Sequence, residues 1–267
     1  MVQPTESELG DETDADWQRR VVGRSLRTAA ERSVDRGMSL IRAATAVLDR
    51  ANGMDITVQD VADEAGQSLR TLYQYFESKD DLLLAVFEEA MRMYAQLVER
   101  SIREIDDPLE RLAGAIVAAV RMPELTGSGV DRGLVRLRLR LSETRPEMVG
   151  RAQSAITTLV RSLVEAAAEA GQIQAEDPEG VTFMVLSLNA SFITSGTVGN
   201  DVGVRRPSVV DFASFCLRGL GADLDDTWYD AVSSRLLLPT PRRASGTGSR
   251  VADAMGSPAR RRAAKKV

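Results

Sequence analysis

Between about residue 35 and residue 237 the apolar residues recur at three- and four-residue spacing. Val, Ile and Thr are nowhere gathered into alternating runs. That periodicity belongs to amphipathic helices, so the spacing predicts an all-α protein. Helices are expected at about 35–51, 58–65, 69–76, 79–103, 108–122, 130–142, 146–170, 178–195, 208–220 and 225–237. Their starts carry capping chemistry. Thr57 with Asp60 three residues later makes a capping-box pair, Ser68 and Ser78 stand where N-caps belong, and Pro108 fits a first helical turn. Asn52-Gly53, Gly66 and Gly171 fall where left-handed C-caps are easiest. MPELTGSG (122–129) and GTVGNDVGVRRP (196–207) read as loops, and no repeat of fixed period is present.

Composition removes whole classes of chemistry. The 267 residues include no histidine and one cysteine, Cys216. Ser-His-Asp and Cys-His catalysis, His general bases and the HExxH zinc helix are therefore excluded. A single Cys makes no internal disulfide and no Cys-rich zinc site, which fits a reducing cytoplasm. Cys216 lies in the apolar run FASFCLRGL and reads as core filler. Glu143 and Glu147 are a helical i,i+4 pair, which is ordinarily a solvated face. The expectation is a protein that is not an enzyme and takes no metal or cofactor. No apolar stretch reaches the roughly 18 residues of a membrane span, and the acidic N-terminus is unlike a signal peptide.

The net charge of −5 speaks against nucleic acid as a partner until its distribution is examined. Residues 1–16 carry six acids and no base and read as a disordered acidic tail. Residues 17–36 carry six arginines (Arg19, Arg20, Arg24, Arg27, Arg32, Arg36) against two acids. Residues 239–267 carry eight bases against one acid in a Pro-, Gly-, Ser- and Ala-rich context, and read as a flexible basic tail. Residues 17–83 then form an N-terminal head with its Arg-rich extension, and 84–238 a larger helical bundle. The Arg-rich segment is either an arm laid on DNA or the solvated face of a helix in an Arg-biased chain. The basic tail either adds salt-dependent phosphate affinity or does little.

The head contains helix–turn–helix chemistry. Val58, Val61, Ala62 and Ala65 give the first short helix one apolar stripe, and Gly66-Gln67-Ser68 is a three-residue turn. Leu72 and Phe76 are spaced to anchor the second helix on the core, turning Arg70, Thr71, Tyr73, Gln74 and Tyr75 outward or to the edges. An exposed helix with two tyrosines and an arginine fits a major-groove reader: Arg pairs with guanine, and Tyr hydroxyls hold phosphates.

The stretch TVQDVADEAGQSLRTLYQYFESKDDLL (Thr57–Leu83) resembles the N-terminal domain of the tetracycline-repressor (TetR) family of transcription regulators. Thr57-Val58, Asp60-Val61-Ala62, Ala65-Gly66, Ser68, Thr71-Leu72-Tyr73, Tyr75-Phe76, Lys79 and Leu82 carry the match. It covers about residues 35–90, with a fainter likeness at CLRGLGA (216–222). The resemblance implies a helix–turn–helix domain fused to a helical ligand-binding and dimerisation bundle. It implies that Thr57 meets a phosphate, that Leu69, Arg70 and Thr71 reach bases, that Tyr73 and Tyr75 clamp the backbone, and that Lys79 reaches a phosphate. Two positions depart from the family pattern. Gln67 stands where a small apolar residue is usual, and either reads DNA or faces solvent. Leu69 replaces a polar reader, and either touches a thymine methyl or is tucked into the head.

The bundle has its own signals. Val181, Val185, Leu188, Phe192 and Ser195 form an apolar stripe, with Met184 and Ala190 beside it. Val209, Val210, Phe212, Ala213, Phe215, Cys216, Leu217 and Leu220 make the 208–220 helix apolar almost all round. Such a helix lies deep in a core or in an oligomer interface. The resemblance implies the interface, a four-helix homodimer contact for which Val181, Val185, Val209, Phe212, Phe215 and Cys216 are candidates. A two-fold dimer matches a palindromic operator in double-stranded DNA. The family also implies a small-molecule effector that releases DNA. Candidate pocket residues are Met122, Leu137, Leu141, Met148, Ile156, Phe183, Met184, Leu188 and Phe192, any one of which also reads as plain core. Asn189, Ser191 and Thr194 either orient the ligand or hydrogen-bond within their helix. Few aromatics and many Leu, Val and Met suit a flexible lipophilic effector. The expected coupling runs from ligand through the 108–122 helix to the 79–103 helix and so to head spacing. The alternative reading is a helical DNA-binding or interaction protein with no small-molecule ligand.

Overall fold

A computed structural model of the chain describes residues 29–51, 56–126, 128–199, 203–225 and 228. Among these residues every regular element is a helix and there is no strand. In chain order they are α1 (29–50), α2 (Val58–Ala65), α3 (Leu69–Tyr75), α4 (Lys79–Ser101), α5 (Pro108–Thr126), α6 (Ser128–Thr144), α7 (Pro146–Ala152), α8 (Ser154–Glu169), α9 (Pro178–Val198) and α10 (Val209–Gly219). The two charged tails, Asn52-Gly53 and most of the expected 225–237 helix lie outside the described residues.

Helix starts follow the capping residues. Thr57 Oγ1 accepts from the Asp60 amide, and the Asp60 carboxylate accepts in return from the Thr57 amide at 2.9 Å. Ser68 and Ser78 cap α3 and α4 through the Thr71 and Asp81 amides, each at 3.1 Å. Ser208 and Asp211 repeat the capping box at α10. Each cap of this kind stabilises its helix by about 1 kcal/mol.

Several boundaries differ from the sequence reading. α1 begins near residue 29, about two turns early, and its first turns are exposed. That extra length has no apolar periodicity to announce it. The expected 146–170 helix is two helices meeting at Gln153, whose backbone stays near helical angles, so the path bends without a loop. α5 continues past Pro123 into the expected 122–129 loop, the packing of α5 in the core offsetting the proline's lost amide and its clash with the carbonyl four residues earlier. α9 likewise runs on to Val198 and ends at Gly199, in the left-handed region at φ 74°.

Two apolar clusters hold the chain together. One joins α1, α2 and α3 to the first half of α4, with Leu40, Ala44, Val61, Leu72, Leu82 and Val86 at its centre. It also takes in Leu134, Leu137 and Leu141 of α6 and Val149 and Ala152 of α7. The head is therefore fastened to the bundle through α4, α6 and α7 and does not hang from a linker. The second cluster packs α5 against α8, α9 and α10, with Leu112, Ile116, Val164 and Leu217 fully or almost fully buried. Cys216 belongs to it. No helix among the described residues is long and apolar enough to cross a membrane.

Candidate functional site

The α2–α3 pair is built around one closely packed apolar contact and one turn. Val61 and Ala62 of α2 and Leu72 of α3 have no solvent exposure. Gly66 makes the turn at φ 62°, where only glycine is unstrained, and its neighbour Gln67 donates its amide to the Ala62 carbonyl at 2.9 Å. Arg50 ties the end of α1 to α2 through Glu64 at 2.7 Å. α3 is thus fixed from beneath by Leu72 and from its start by Ser68.

What α3 presents outward is narrower than its sequence suggests. Arg70, Tyr73 and Gln74 are exposed, Tyr73 by 51%, and engage no partner among the described residues. Thr71 is half-buried and shares a hydrogen bond with the Ser68 hydroxyl at 2.9 Å, so it serves the cap. Leu69 packs against the head core, which favours the tucked reading over a thymine contact. Tyr75 is half-buried against the same core, its ring lying beside Gly37 of α1. Phe76 is no longer helical but still packs on the core, and its amide donates to Leu72. Gln67 is half-buried and its Oε1 has no partner. Thr57 is exposed at the start of α2, and Lys79 is half-buried at the start of α4. The Thr57 hydrogen bonds hold the Asp60 carboxyl below the usual carboxylate range.

Above the head the bundle encloses a cavity of about 520 Å³, within the range of small-molecule sites. α4 contributes Phe87, Met91, Tyr94 and Val98, and α5 contributes Ala115, Ala119 and Met122. Leu134, Val135 and Arg138 come from α6, Ile156, Thr157, Val160 and Arg161 from α8. α9 supplies the longest stretch, from Glu179 to Thr194, including Thr182, Phe183, Leu186, Asn189 and Ile193. Phe183 is 72% exposed and marks where the cavity reaches the surface.

Met122, Ile156 and Phe183 of the expected pocket residues line this cavity. The others stand elsewhere. Leu137 and Leu141 are buried in the head-side cluster and Met148 packs against it, because α6 and α7 turn one face to the head. Met184 and Leu188 point outward from α9. Phe192 stacks on Phe212 at 4.3 Å and lies under the Arg206 guanidinium. Asn189 and Thr194 line the cavity, whereas Ser191 is exposed on another face of α9. The α4 and α6 contributions escaped sequence reading, since a cavity wall and a core face have the same apolar spacing. Among the interface candidates, Val181, Val185, Phe212 and Cys216 are buried within the subunit and Val209 half-buried. Phe215 alone of the six is exposed, by 69%.

Two ion pairs join the α6–α7 junction to the first turn of α4. Arg140 meets Asp80 at 3.1 Å and Arg145 meets Asp81 at 2.7 Å. These are part-exposed pairs, worth roughly 0.2–1 kcal/mol each. Their position matters more than their strength, because α4 begins where α3 ends.

Residues 40–86 match the family model described as bacterial regulatory proteins, tetR family. This interval spans the helix–turn–helix and the start of α4. Over this stretch the chain is similar to the N-terminal domain of TetR-family regulators. Over 84 residues it is 33% identical to the HTH-type transcriptional regulator HbdR of Aromatoleum sp. (strain CIB), covering 32% of this chain and 37% of that protein. Over 81 residues it is 35% identical to the HTH-type transcriptional regulator BetI of Brucella anthropi, covering 30% and 42%. The matched stretch spans about two fifths of the length of these curated relatives. The TetR-like fold extends further than the sequence match. The crystal structure of RolR in complex with resorcinol superposes at a TM-score of 0.57 and 19% identity, covering 79% of this chain and 99% of that one. The regulator FadR of Bacillus subtilis, in complex with stearoyl-CoA, gives 0.54 and 20%, covering 70% and 99%.

Proposed function

We propose that this chain is a homodimeric transcription regulator of the TetR family. It binds a palindromic operator through α3 and is released by a lipophilic small molecule held in the bundle. The observation that carries the reading is the juxtaposition of a rigidly seated reading helix with a cavity that shares its walls with the head. Phe87 and Leu134 belong both to the head core and to the cavity lining. Arg70 is the candidate base reader, with Tyr73 and Gln74 beside it on the exposed face. Thr57 and Lys79, at the starts of α2 and α4, flank that face as phosphate contacts.

Dimerisation through α9 and α10 is supported by what those helices leave uncovered. Both pack one face on α5, while Met184 and Leu188 of α9 and Phe215 of α10 remain exposed. Large apolar side chains left in solvent on two neighbouring helices mark an association surface.

The coupling route follows the walls. A ligand touching Leu134, Val135 or Arg138 presses on α6, and Arg140 and Arg145 pass that displacement to Asp80 and Asp81. α4 itself lines the cavity, so it receives the displacement directly and through α6 as well as through α5. Only a ligand that prefers the displaced arrangement releases DNA. The test is fluorescence anisotropy on an operator selected from random DNA, titrated with lipophilic candidates. Tight binding without release by any ligand that enters the cavity contradicts the effector part and leaves the DNA part standing.

A further inference from the structure

The cavity's charge inventory is unbalanced. Among the described residues three charged side chains line it: Arg138, Arg161 and Glu179. Arg161 is already compensated, since its Nε donates to Glu165 at 2.8 Å and Glu179 and Asp177 lie near enough to act on its charge. Arg138 is different. It is half-buried on α6 and makes no hydrogen bond or ion pair with any of the described residues. A guanidinium cannot shed its proton to escape such a place, so its charge persists beside an apolar wall. The wall around it is mostly hydrocarbon, with Phe87, Met91, Tyr94, Met122, Ile156 and Val160 among its residues. A second polar group is also left over: Asn189 lines the same cavity at 5% exposure, and its buried Oδ1 has no partner. Thr182 is not such a case, because its hydroxyl donates to Pro178 at 2.7 Å.

We propose that the cavity is specific for an amphiphile with a single anionic group, a carboxylate or a phosphate, received by Arg138, with an apolar body along the α4, α5 and α8 walls. This rests on the reading of the cavity as an effector site and adds the charge of its ligand. Asn189 Oδ1 is placed to accept from a hydroxyl or N–H donor carried next to the anion. A bidentate guanidinium–anion pair in a part-desolvated site discriminates against a neutral head group of the same length.

The test is calorimetric titration of the full chain with four probes of equal chain length: decanoate, decyl phosphate, decan-1-ol and decylamine. At least one anion is expected to bind tenfold or more tightly than decan-1-ol, with decylamine weakest, and the stronger anion identifies the head group. Arg138→Gln should erase the preference and leave decan-1-ol affinity within about twofold. Arg138→Lys should keep part of it, and Arg161→Gln should keep all of it. Equal binding of anion and alcohol to the wild-type chain overturns the proposal while the effector reading stands. A preference that survives Arg138→Gln also overturns it. Failure of all four probes to bind removes the effector reading and this proposal together.

Discussion

Single side chains decide where the molecule is reactive, where it reads and where it is rigid. The Cys216 thiol is pushed up to about 11 by burial in the α5–α10 core, so it is neither nucleophilic nor accessible at neutral pH. Iodoacetamide at pH 8 should leave the native chain unmodified and label it fully in denaturant; rapid native labelling would place the thiol at the surface. Arg206 lies 4.0 Å over the Phe192 ring and donates to the Phe192 carbonyl at 3.0 Å, fastening the segment after α9. A Cβ on Gly196 would stand 2.6 Å from that guanidinium, so an alanine there pushes the flexible end of Arg206 off the ring. Arg206→Ala should cost roughly 0.5–1 kcal/mol in thermal denaturation, and Gly196→Ala less, because the better helix propensity of alanine offsets part of the lost contact. The double variant should cost little more than the worse single one, because both break the same contact. Full additivity would separate them.

At the scale of elements, the head owes its shape to caps and to one buried leucine. Leu72→Ala removes the side chain that seats α3 and should cost about 2–5 kcal/mol. Asp60 and Asp211 have carboxyls held below their usual range by Thr57 and Ser208. A depressed folded pKa gives stability that is present above the unfolded value and lost as pH falls through the folded one. The acid limb of the unfolding curve, below about pH 4, should therefore flatten in an Asp60→Asn, Asp211→Asn double variant. An unchanged limb would mean these caps carry no acid sensitivity. Arg145→Ala, which breaks the Asp81 pair, should leave operator and ligand affinities nearly intact while reducing ligand-driven release by roughly threefold. Undiminished release would move the coupling to α4 and α5 alone. Much of this level was legible from residue types: Thr57, Asp60, Gly66, Ser68 and Ser78 announce helix ends through chemistry that acts within four residues. The bend at Gln153, the persistence of α5 past Pro123 and the placement of Leu137 and Leu141 depend on long-range packing. No local pattern encodes that. The same limit explains why the packing of Leu69 and Tyr75 against the head core does not show in their local spacing.

For the whole molecule, the separation of head from bundle is a matter of charge and exposure more than of packing. The head core continues through α4 into α6 and α7, so the two parts move as coupled bodies. The net charge of −5 conceals basic stretches at 17–36, whose last eight residues open α1, and at 239–267. Replacing Phe215 and Met184 by Asp should give a folded monomer in analytical ultracentrifugation and abolish binding to a two-fold site while sparing weak half-site binding. The central claim is that α3 reads sequence through Arg70. Its most direct measurement is selection from random double-stranded DNA by the full-length protein, repeated with Arg70→Ala. The account predicts a two-fold symmetric site for the wild type. For the variant it predicts a loss of about 1–3 kcal/mol confined to one base pair of each half-site. Enrichment of no sequence by the wild type, or an identical site selected by the variant, would contradict it.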